Sequence, residues 1–474
     1  MRAAITRHDR AVAYTILAAS IALLLLLQWP GLLEPDSVAS LEQSRTGWIS
    51  EQRSAIDTWL WRQAWLLFGA GPAVLLVPQI VAVVTGLYLT LRATFARVPA
   101  AALAFALPLT PPFIGWVYVV GRDMEFVAPC LLAAGLAVGA VRWPARFAWP
   151  AIAAGVALAI VAATARQNGV TGIWPLMIAF AAAGIRLLAV GHGSLRALRR
   201  RRTLAVVAGT ALTLCALGVM LAGTSAVRRV REYPEVYTQL WDLGYMTLER
   251  DERMIPVLPK SMQPAQTIAE VRARWRPTDS LYMRFDEALT HGSEMYSAEA
   301  AEKLRRAWLD AIRDHPLLYL RGRLESWRHQ LGIGSTPGYT YVPAPPPNRW
   351  GYRPALTGLS QAAIDYAGWW EVWRGPTNGI FHHVWVYLLL SIGGLALLLP
   401  RFPAPTRMIG LVAAAGVTNQ IGLFIISPAA HWRYHLLTVY TGAIVLCVAV
   451  PMLWRALRAA RARRSAERVA APAA

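Results

Sequence analysis

Apolar stretches long enough to cross a hydrocarbon core, roughly 20 residues of helix each, recur at 11–33, 66–90, 98–120, 124–141, 148–164, 169–189, 203–225, 380–400, 408–427 and 435–454. Charged residues fall almost entirely between these stretches. The pattern predicts an all-α polytopic membrane protein with about ten transmembrane helices. It divides the chain into a seven-span module over 1–225, a mostly helical segment over 226–379, a three-span module over 380–454 and a basic tail over 455–474.

The long polar segment carries its own helix signals. Ser297 with Glu299 two residues on predicts a capped helix running to Arg313, and Asp314-His315-Pro316 interrupts it. Leu317, Leu320, Leu324, Trp327 and Leu331 then recur at helical spacing, with Arg321, Arg323 and Arg328 on other faces. This second helix is expected to lie at the bilayer surface or to pack within a domain. Pro343-Ala344-Pro345-Pro346-Pro347-Asn348 is expected to be an extended linker.

Composition agrees with a membrane protein: 56% of the 474 residues are hydrophobic and the mean hydropathy is +0.38. The first apolar stretch leads through Gln28-Trp29-Pro30-Gly31 without an Ala-x-Ala-like cleavage signal and reads as a retained anchor. Cys130, Cys215 and Cys447 all fall inside predicted spans, as small apolar residues rather than a disulfide or metal framework.

A net charge of +20 raises the possibility of nucleic acid, but its placement argues against that partner. The arginines crowd every second connection: Arg7 and Arg10, Arg92 and Arg97, Arg142 and Arg146, Arg199 to Arg202, Arg401 and Arg407, then the tail. That is the positive-inside pattern. Both termini are therefore expected in the cytoplasm, with the excess charge facing anionic lipid headgroups.

With that orientation, the segments 34–65, 120–124, 165–169, 226–379 and 428–434 are external. Their polar content is unusual for turns. Glu34-Pro35-Asp36 follows the first span, Gly121-Arg122-Asp123-Met124-Glu125 sits in the second turn, Arg166-Gln167-Asn168-Gly169 in the third, and His431-Trp432-Arg433-Tyr434-His435 closes the set. Bland roles are available to each. Asp36 suits a helix N-cap, Arg122 and Asp123 a local ion pair, and Arg166 and Arg433 snorkelling to headgroups. Their joint return to one face is what points to chemistry there. His431 and His435 have the i, i+4 spacing of a two-histidine metal site, but no third ligand with fitting spacing lies nearby. No phosphate loop, dinucleotide fingerprint or nucleophile elbow is present.

In this arrangement the chain resembles the GT-C superfamily of integral membrane glycosyltransferases, which take sugars from polyprenyl phosphate carriers. Seven spans precede the large external segment, a loop with short amphipathic pieces follows the first span, and further spans close the chain. Glu34-Pro35-Asp36 looks like the family's acidic motif in the first external loop, and Arg122-Asp123 occupies the position of its second acidic site. The Arg166-Gln167-Asn168-Gly169 turn and Arg433-Tyr434 look like elements of bacterial members. Two departures stand out. Glu-Pro-Asp replaces a strict Asp-x-Asp, which weakens an inference of divalent metal, so that a divalent metal is left as a weakly supported option and no cofactor is certain. Where some relatives carry His-Pro, this chain has Asp57-Thr58-Trp59-Leu60-Trp61.

The resemblance implies hexosyl or pentosyl transfer from a polyprenyl-phosphate-linked sugar to a glycan, lipid or protein acceptor, in a bacterial inner membrane with the first external loop catalytic. Such a transfer needs a base for the acceptor hydroxyl and cations for the departing phosphate. Asp36 is the expected base, with Glu34 and Asp123 orienting the acceptor or raising its basicity by like-charge proximity. Arg122, Arg166, Arg433 and His435 are the expected phosphate contacts, and Asp57, Asn168 and His431 complete the expected substrate-binding set. The rivals are a transporter or flippase for a lipid-linked glycan and a noncatalytic assembly factor. Transport calls for ionisable groups near the midplane of several spans, whereas Gln79, Asn419 and Gln420 are the main buried polar exceptions here.

Overall fold

The computed structural model describes residues 2–51, 54–69, 71–188, 195–258, 267–278, 297–334, 341–342, 347–353, 357–372, 380–401, 404–427 and 429–470. Among these residues the fold is all-α, with isolated bridges between Leu32 and Val119 and between Ser50 and Val230. The proline-rich stretch 343–346, read above as a linker, lies outside the described residues.

The chain opens with α1 (Arg2–Leu27), followed by two short helices, α2 (Pro35–Thr46) and α3 (Ala55–Phe68). Then come α4 (Ala73–Leu91), α5 (Arg97–Ala106), the four-residue α6 (Pro111–Ile114), α7 (Arg122–Ala140), α8 (Ala145–Ala165), α9 (Gly169–Leu188) and α10 (Leu195–Val227). A second group comprises α11 (Val236–Arg250), α12 (Ile268–Arg274), α13 (Ala298–Asp314), α14 (Pro316–Gln330) and α15 (Thr357–Val372). The chain closes with α16 (Val384–Arg401), α17 (Ala404–Ile426) and α18 (Leu436–Ala470).

Every predicted span coincides with a helix, but not all are complete crossings. Among the described residues, eight helices are long and apolar enough to span a membrane, while Arg97–Leu109 and Val384–Pro400 are shorter apolar helices. The predicted span over 98–120 breaks for a stated reason. Pro108, Pro111 and Pro112 remove backbone donors and clash with the preceding turn, so α5 gives way to a 3-10 turn and then to α6. Residues 115–120 beyond it are irregular and buried. The first helix likewise ends at Leu27, six residues short of the apolar stretch it belongs to.

Helices α4, α7, α9, α17 and α18 form the centre of the bundle. α4 and α7 cross where Gly86 meets the Leu131 backbone; a Cβ on Gly86 would come within 2.4 Å of the Leu131 carbonyl carbon. The α11–α14 helices have a separate apolar core built on Val236, Leu240, Leu243, Met246, Ile255 and Leu304. The Ser297 cap is present, its hydroxyl accepting from the Ala300 amide at 3.2 Å. This module is fastened to the bundle by Arg323. The arginine is buried, pairs with Asp242 at 3.2 Å, and donates to the Phe424, Ile425 and Ser427 carbonyls at the end of α17. Those are the carbonyls a helix terminus leaves without intrahelical donors.

Candidate functional site

Two backbone segments leaving the bundle are paired before any side chain enters the site. Leu32 donates to the Tyr118 carbonyl at 3.2 Å and Val120 donates to the Leu32 carbonyl at 2.9 Å, forming a parallel bridge of Leu32 with Val119. The irregular backbone this requires is satisfied from α4, where Gln79 Nε2 donates to the Val117 and Val119 carbonyls at 2.8 and 3.0 Å. The pairing sets Glu34 beside Gly121. A Cβ at Gly121 would lie 2.6 Å from Ser37 Oγ, so glycine is what allows the start of α7 to approach the start of α2 this closely.

Both helices begin with acids. Glu34 stands at the N-cap position of α2 without a side-chain cap bond, Pro35 takes the first helical position, and Asp36 lies inside the first turn. The helix thus starts two residues earlier than a cap at Asp36 would place it. Asp123 and Glu125 occupy the first turn of α7. Carboxylates near these two helix N-termini are favoured by the exposed amides and the helix dipole.

Arg433 joins the two acidic starts from the far end of the chain. Its Nη1 lies 2.5 Å from Glu34 Oε2, its Nη2 2.7 Å from Asp36 Oδ2, and its Nε 3.6 Å from Asp123 Oδ2. A guanidinium has five N–H donors in a planar fork, which is why one side chain engages three carboxylates. Arg122 bonds the same Asp36 oxygen at 2.9 Å, and Arg166 pairs with Asp123. Glu34, Asp123 and Arg433 are buried, whereas the Asp36 and Arg122 side chains keep 18% and 24% of their surface exposed. A substrate would therefore meet Asp36 and Arg122 first.

The remaining expected residues are distributed around this core. Asn168 receives Arg166 Nε at 3.2 Å on its Oδ1 and donates from Nδ2 to Asn419 Oδ1 at 3.1 Å. Arg166 and Arg433 both lie against the Tyr434 ring, with guanidinium-to-centroid distances of 4.5 and 5.4 Å. His435 is buried, with Nδ1 against the Gln420 amide, and Gln420 Nε2 donates to Thr438 Oγ1 at 2.8 Å. His431 is buried with its ring tilted on Tyr434 at 5.2 Å. Asp57 stands apart from the Arg433 hub, on α3, where it hydrogen-bonds Glu125. Burial pushes the Asp57 carboxyl up to about 6, against the opposing pull of that hydrogen bond and the Arg122 charge.

Sequence reasoning missed several members of this arrangement. Glu125 accepts from Trp61 Nε1 at 2.7 Å and ties α3 to α7; its place in the first turn of α7, two residues after Asp123, was the available signal. Gln79, Asn419 and Gln420 stood out only as polar residues in spans, and each is committed to a hydrogen bond that holds the site's backbone or side chains. The Arg323–Asp242 pair had no sequence signal beyond an arginine on the less apolar side of its helix.

The carboxylates converge on a guanidinium rather than on a space suited to a metal ion. Arg433 occupies the point where Glu34, Asp36 and Asp123 meet, and His435 Nδ1 is taken by Gln420. Among the described residues no group of His, Cys, Asp and Glu is arranged to hold a cation. These residues do not fit a divalent ion with Arg433 in place.

No protein-family model matches the chain, and no curated protein matches it. Similar solved structures are those of the Archaeoglobus fulgidus oligosaccharyltransferase. The complex with zinc and sulfate is 12% identical, with 97% of this chain and 51% of that one covered and a TM-score of 0.37. The complex with an inhibitory peptide and a dolichol-phosphate is also 12% identical, with 94% and 52% covered and a TM-score of 0.40. The apo form is 14% identical over 94% and 52%, with a TM-score of 0.40. The chain spans about half the length of these proteins.

Proposed function

We propose that this multi-pass membrane protein is a GT-C-type glycosyltransferase that moves a sugar from a polyprenyl-phosphate carrier to an acceptor hydroxyl, with Asp36 as general base. The observation that carries the proposal is the position of Asp36. It is the most exposed of three converging carboxylates and shares its Oδ2 with the guanidinium groups of Arg122 and Arg433. An acid and cations held together at the end of a helical bundle can serve both halves of a displacement.

In that reaction the acceptor oxygen bonds to the anomeric carbon as the carbon–oxygen bond to the carrier phosphate breaks. Asp36 takes the hydroxyl proton and the carrier leaves as a phosphate. Arg122 is the cation placed to meet that phosphate, because of the two guanidinium groups on Asp36 it is the more exposed, at 24% against 6% for Arg433. Arg433 acts differently from Arg122. Its three nitrogen positions are directed to Glu34, Asp36 and Asp123, so its role is to orient Asp36 and offset the carboxylate cluster. Asp123 pairs with both Arg433 and Arg166, and Asn168 accepts from Arg166; His435, His431 and Asp57 complete the proposed substrate-binding set.

The placement of polar residues in the spans also supports an enzyme over a transporter. Gln79, Asn419 and Gln420 are hydrogen-bonded toward the site, and none lines a chain of ionisable groups across the bundle. A bacterial inner membrane, cytoplasmic termini, and a glycan, lipid or protein acceptor complete the proposal on the strength of the arginine pattern and the sequence resemblance.

The test compares purified wild type with Asp36→Asn for consumption of a panel of polyprenyl phosphate sugars, after both are shown to unfold at similar temperatures in detergent. Turnover by wild type alone supports the transferase and its base. Movement of lipid-linked glycans across vesicles without consumption of any donor would replace it with a transporter.

A further inference from the structure

The helix α14 is apolar on the side it exposes and polar on the side it buries. Leu317, Leu320 and Leu324 are 80%, 44% and 54% exposed, while Arg323, Ser326 and Gln330 are buried. A helix of a soluble module would be arranged the other way round, since burying leucine and exposing polar groups is the favourable choice in water.

Its attachment explains which side faces what. Arg323 holds the Phe424 and Ile425 carbonyls at the end of α17, and Trp327 packs edge-on against Phe424 with centroids 5.7 Å apart. At the other end Trp385 donates to the Leu331 carbonyl at 3.1 Å, and His383 Nδ1 lies 2.7 Å from the Gly332 carbonyl, both at the start of α16. The helix is thus pinned across the ends of two apolar bundle helices, one of them long enough to span a membrane.

At about 100° per residue, Leu320, Leu324 and Leu317 follow Trp327 around the helix on the side away from Arg323, and Arg328 and Arg321 come next. The leucines therefore lie beside the α17 contact, and the two exposed arginines lie beyond them. The apolar surface continues onto α17, where Ile421 and Ile425, four residues apart on one face, are both half exposed. A span's lipid-facing residues, a leucine row at its end and arginines at the border form the sequence of surfaces met on passing from acyl chains to headgroups.

We propose that α14 is a membrane-interface helix, with Leu317, Leu320 and Leu324 inserted among the acyl chains of the leaflet at the site end of the bundle and Arg321 and Arg328 at the phosphate level. The helical module is then held to the bilayer by lipid contact as well as by Arg323. This holds whether or not the protein is a transferase.

The experiment places a spin label at Leu317→Cys, Leu320→Cys or Leu324→Cys in full-length protein lacking Cys130, Cys215 and Cys447, reconstituted in phospholipid nanodiscs. Arg306→Cys on the exposed side of α13 is the aqueous control. Collision with oxygen is expected to exceed collision with a water-soluble nickel chelate at the three leucine positions, and the order to reverse at the control. Nickel access equal to the control would overturn the proposal, as would protection from both reagents, which indicates a protein partner instead. Wild-type protein gives a second measurement free of substitutions. A bilayer-partitioned carbene reagent should label the 316–330 peptide, and labelling of that peptide only by a water-soluble reagent would reject lipid contact.

Discussion

Arg433 Nη1 lies 2.5 Å from Glu34 Oε2, which joins the start of the last helix to the loop after the first across 399 positions of sequence. Both side chains are buried, so neither is readily satisfied by water if the other is lost. Removing one partner of a buried pair typically costs about 3–5 kcal/mol, because the remaining charge is left uncompensated. Arg433→Met should lower the unfolding temperature in detergent markedly, and Glu34→Gln somewhat less, since Asp36 and Asp123 would still engage the arginine. The double variant should be less destabilised than the sum of the two by more than about 1 kcal/mol. Additive effects would show that the pair is not coupled.

Asp36 should separate from Glu34 in what it controls. Asp36 is accessible and Glu34 is not, so substrate chemistry falls to the first and bracing to the second. Asp36→Asn should reduce transfer by about 10²–10⁴-fold, the usual contribution of a positioned base, with a smaller stability loss than Glu34→Gln. Steady-state rates and thermal unfolding of the two variants check the split. A larger stability loss in Asp36→Asn, with rates falling only in proportion to folded protein, would assign Asp36 a structural role.

The all-helical polytopic architecture was legible from apolar length alone, because a bilayer requires long runs and satisfied backbones. The break at Pro108, Pro111 and Pro112 was not read, although the prolines were in plain view, because apolar length dominated the pattern. Candidate site residues could be named but not paired. Arg122 adjoins Asp123 in sequence yet bonds Asp36, while Asp123 is taken by Arg166 and Arg433. Helix geometry points neighbouring side chains in different directions, and single-chain spacing carries no information about which turn from another helix arrives opposite. The buried face of α14 was hidden for a related reason: an arginine that satisfies helix-terminal carbonyls looks, in sequence, like one that faces water.

Asp57 should make stability depend on pH in the direction opposite to a salt-bridged carboxylate. Burial raises its folded value to about 6 from the unfolded 3.8 and also raises its neighbour Glu125, so folding favours protonation of the pair. The cost of holding it ionised is absent below about pH 4, grows as pH rises toward 6 and persists above. Asp57→Asn should therefore gain in unfolding temperature relative to wild type at pH 7.5 and lose that advantage near pH 4.5. A difference between the two proteins that stays constant across this range would contradict the assignment.

Arg323 offers the sharpest test of how the helical module supports the site. Its guanidinium faces the Asp242 carboxylate and the Phe424, Ile425 and Ser427 carbonyls, and the chain beyond Ser427 leads directly into His431 to His435. The Ala430 amide donates to the Thr278 carbonyl at 2.8 Å, so the same stretch is held by the module at a second point. Arg323→Met leaves Asp242 buried without its cation, at a typical cost of about 3–5 kcal/mol. The sign with pH follows from Asp242. Burial already raises its carboxyl to about 6 despite Arg323 and a hydrogen bond from Trp308, and loss of the arginine can only raise it further. The variant's deficit should accordingly be greatest at pH 7.5 and partly relieved at pH 5, where Asp242 is protonated in the folded protein. Asp242→Asn in the same background should recover stability at pH 7.5 and have little effect at pH 5. Equal deficits at both pH values would mean that Arg323 acts through the α17 carbonyls alone.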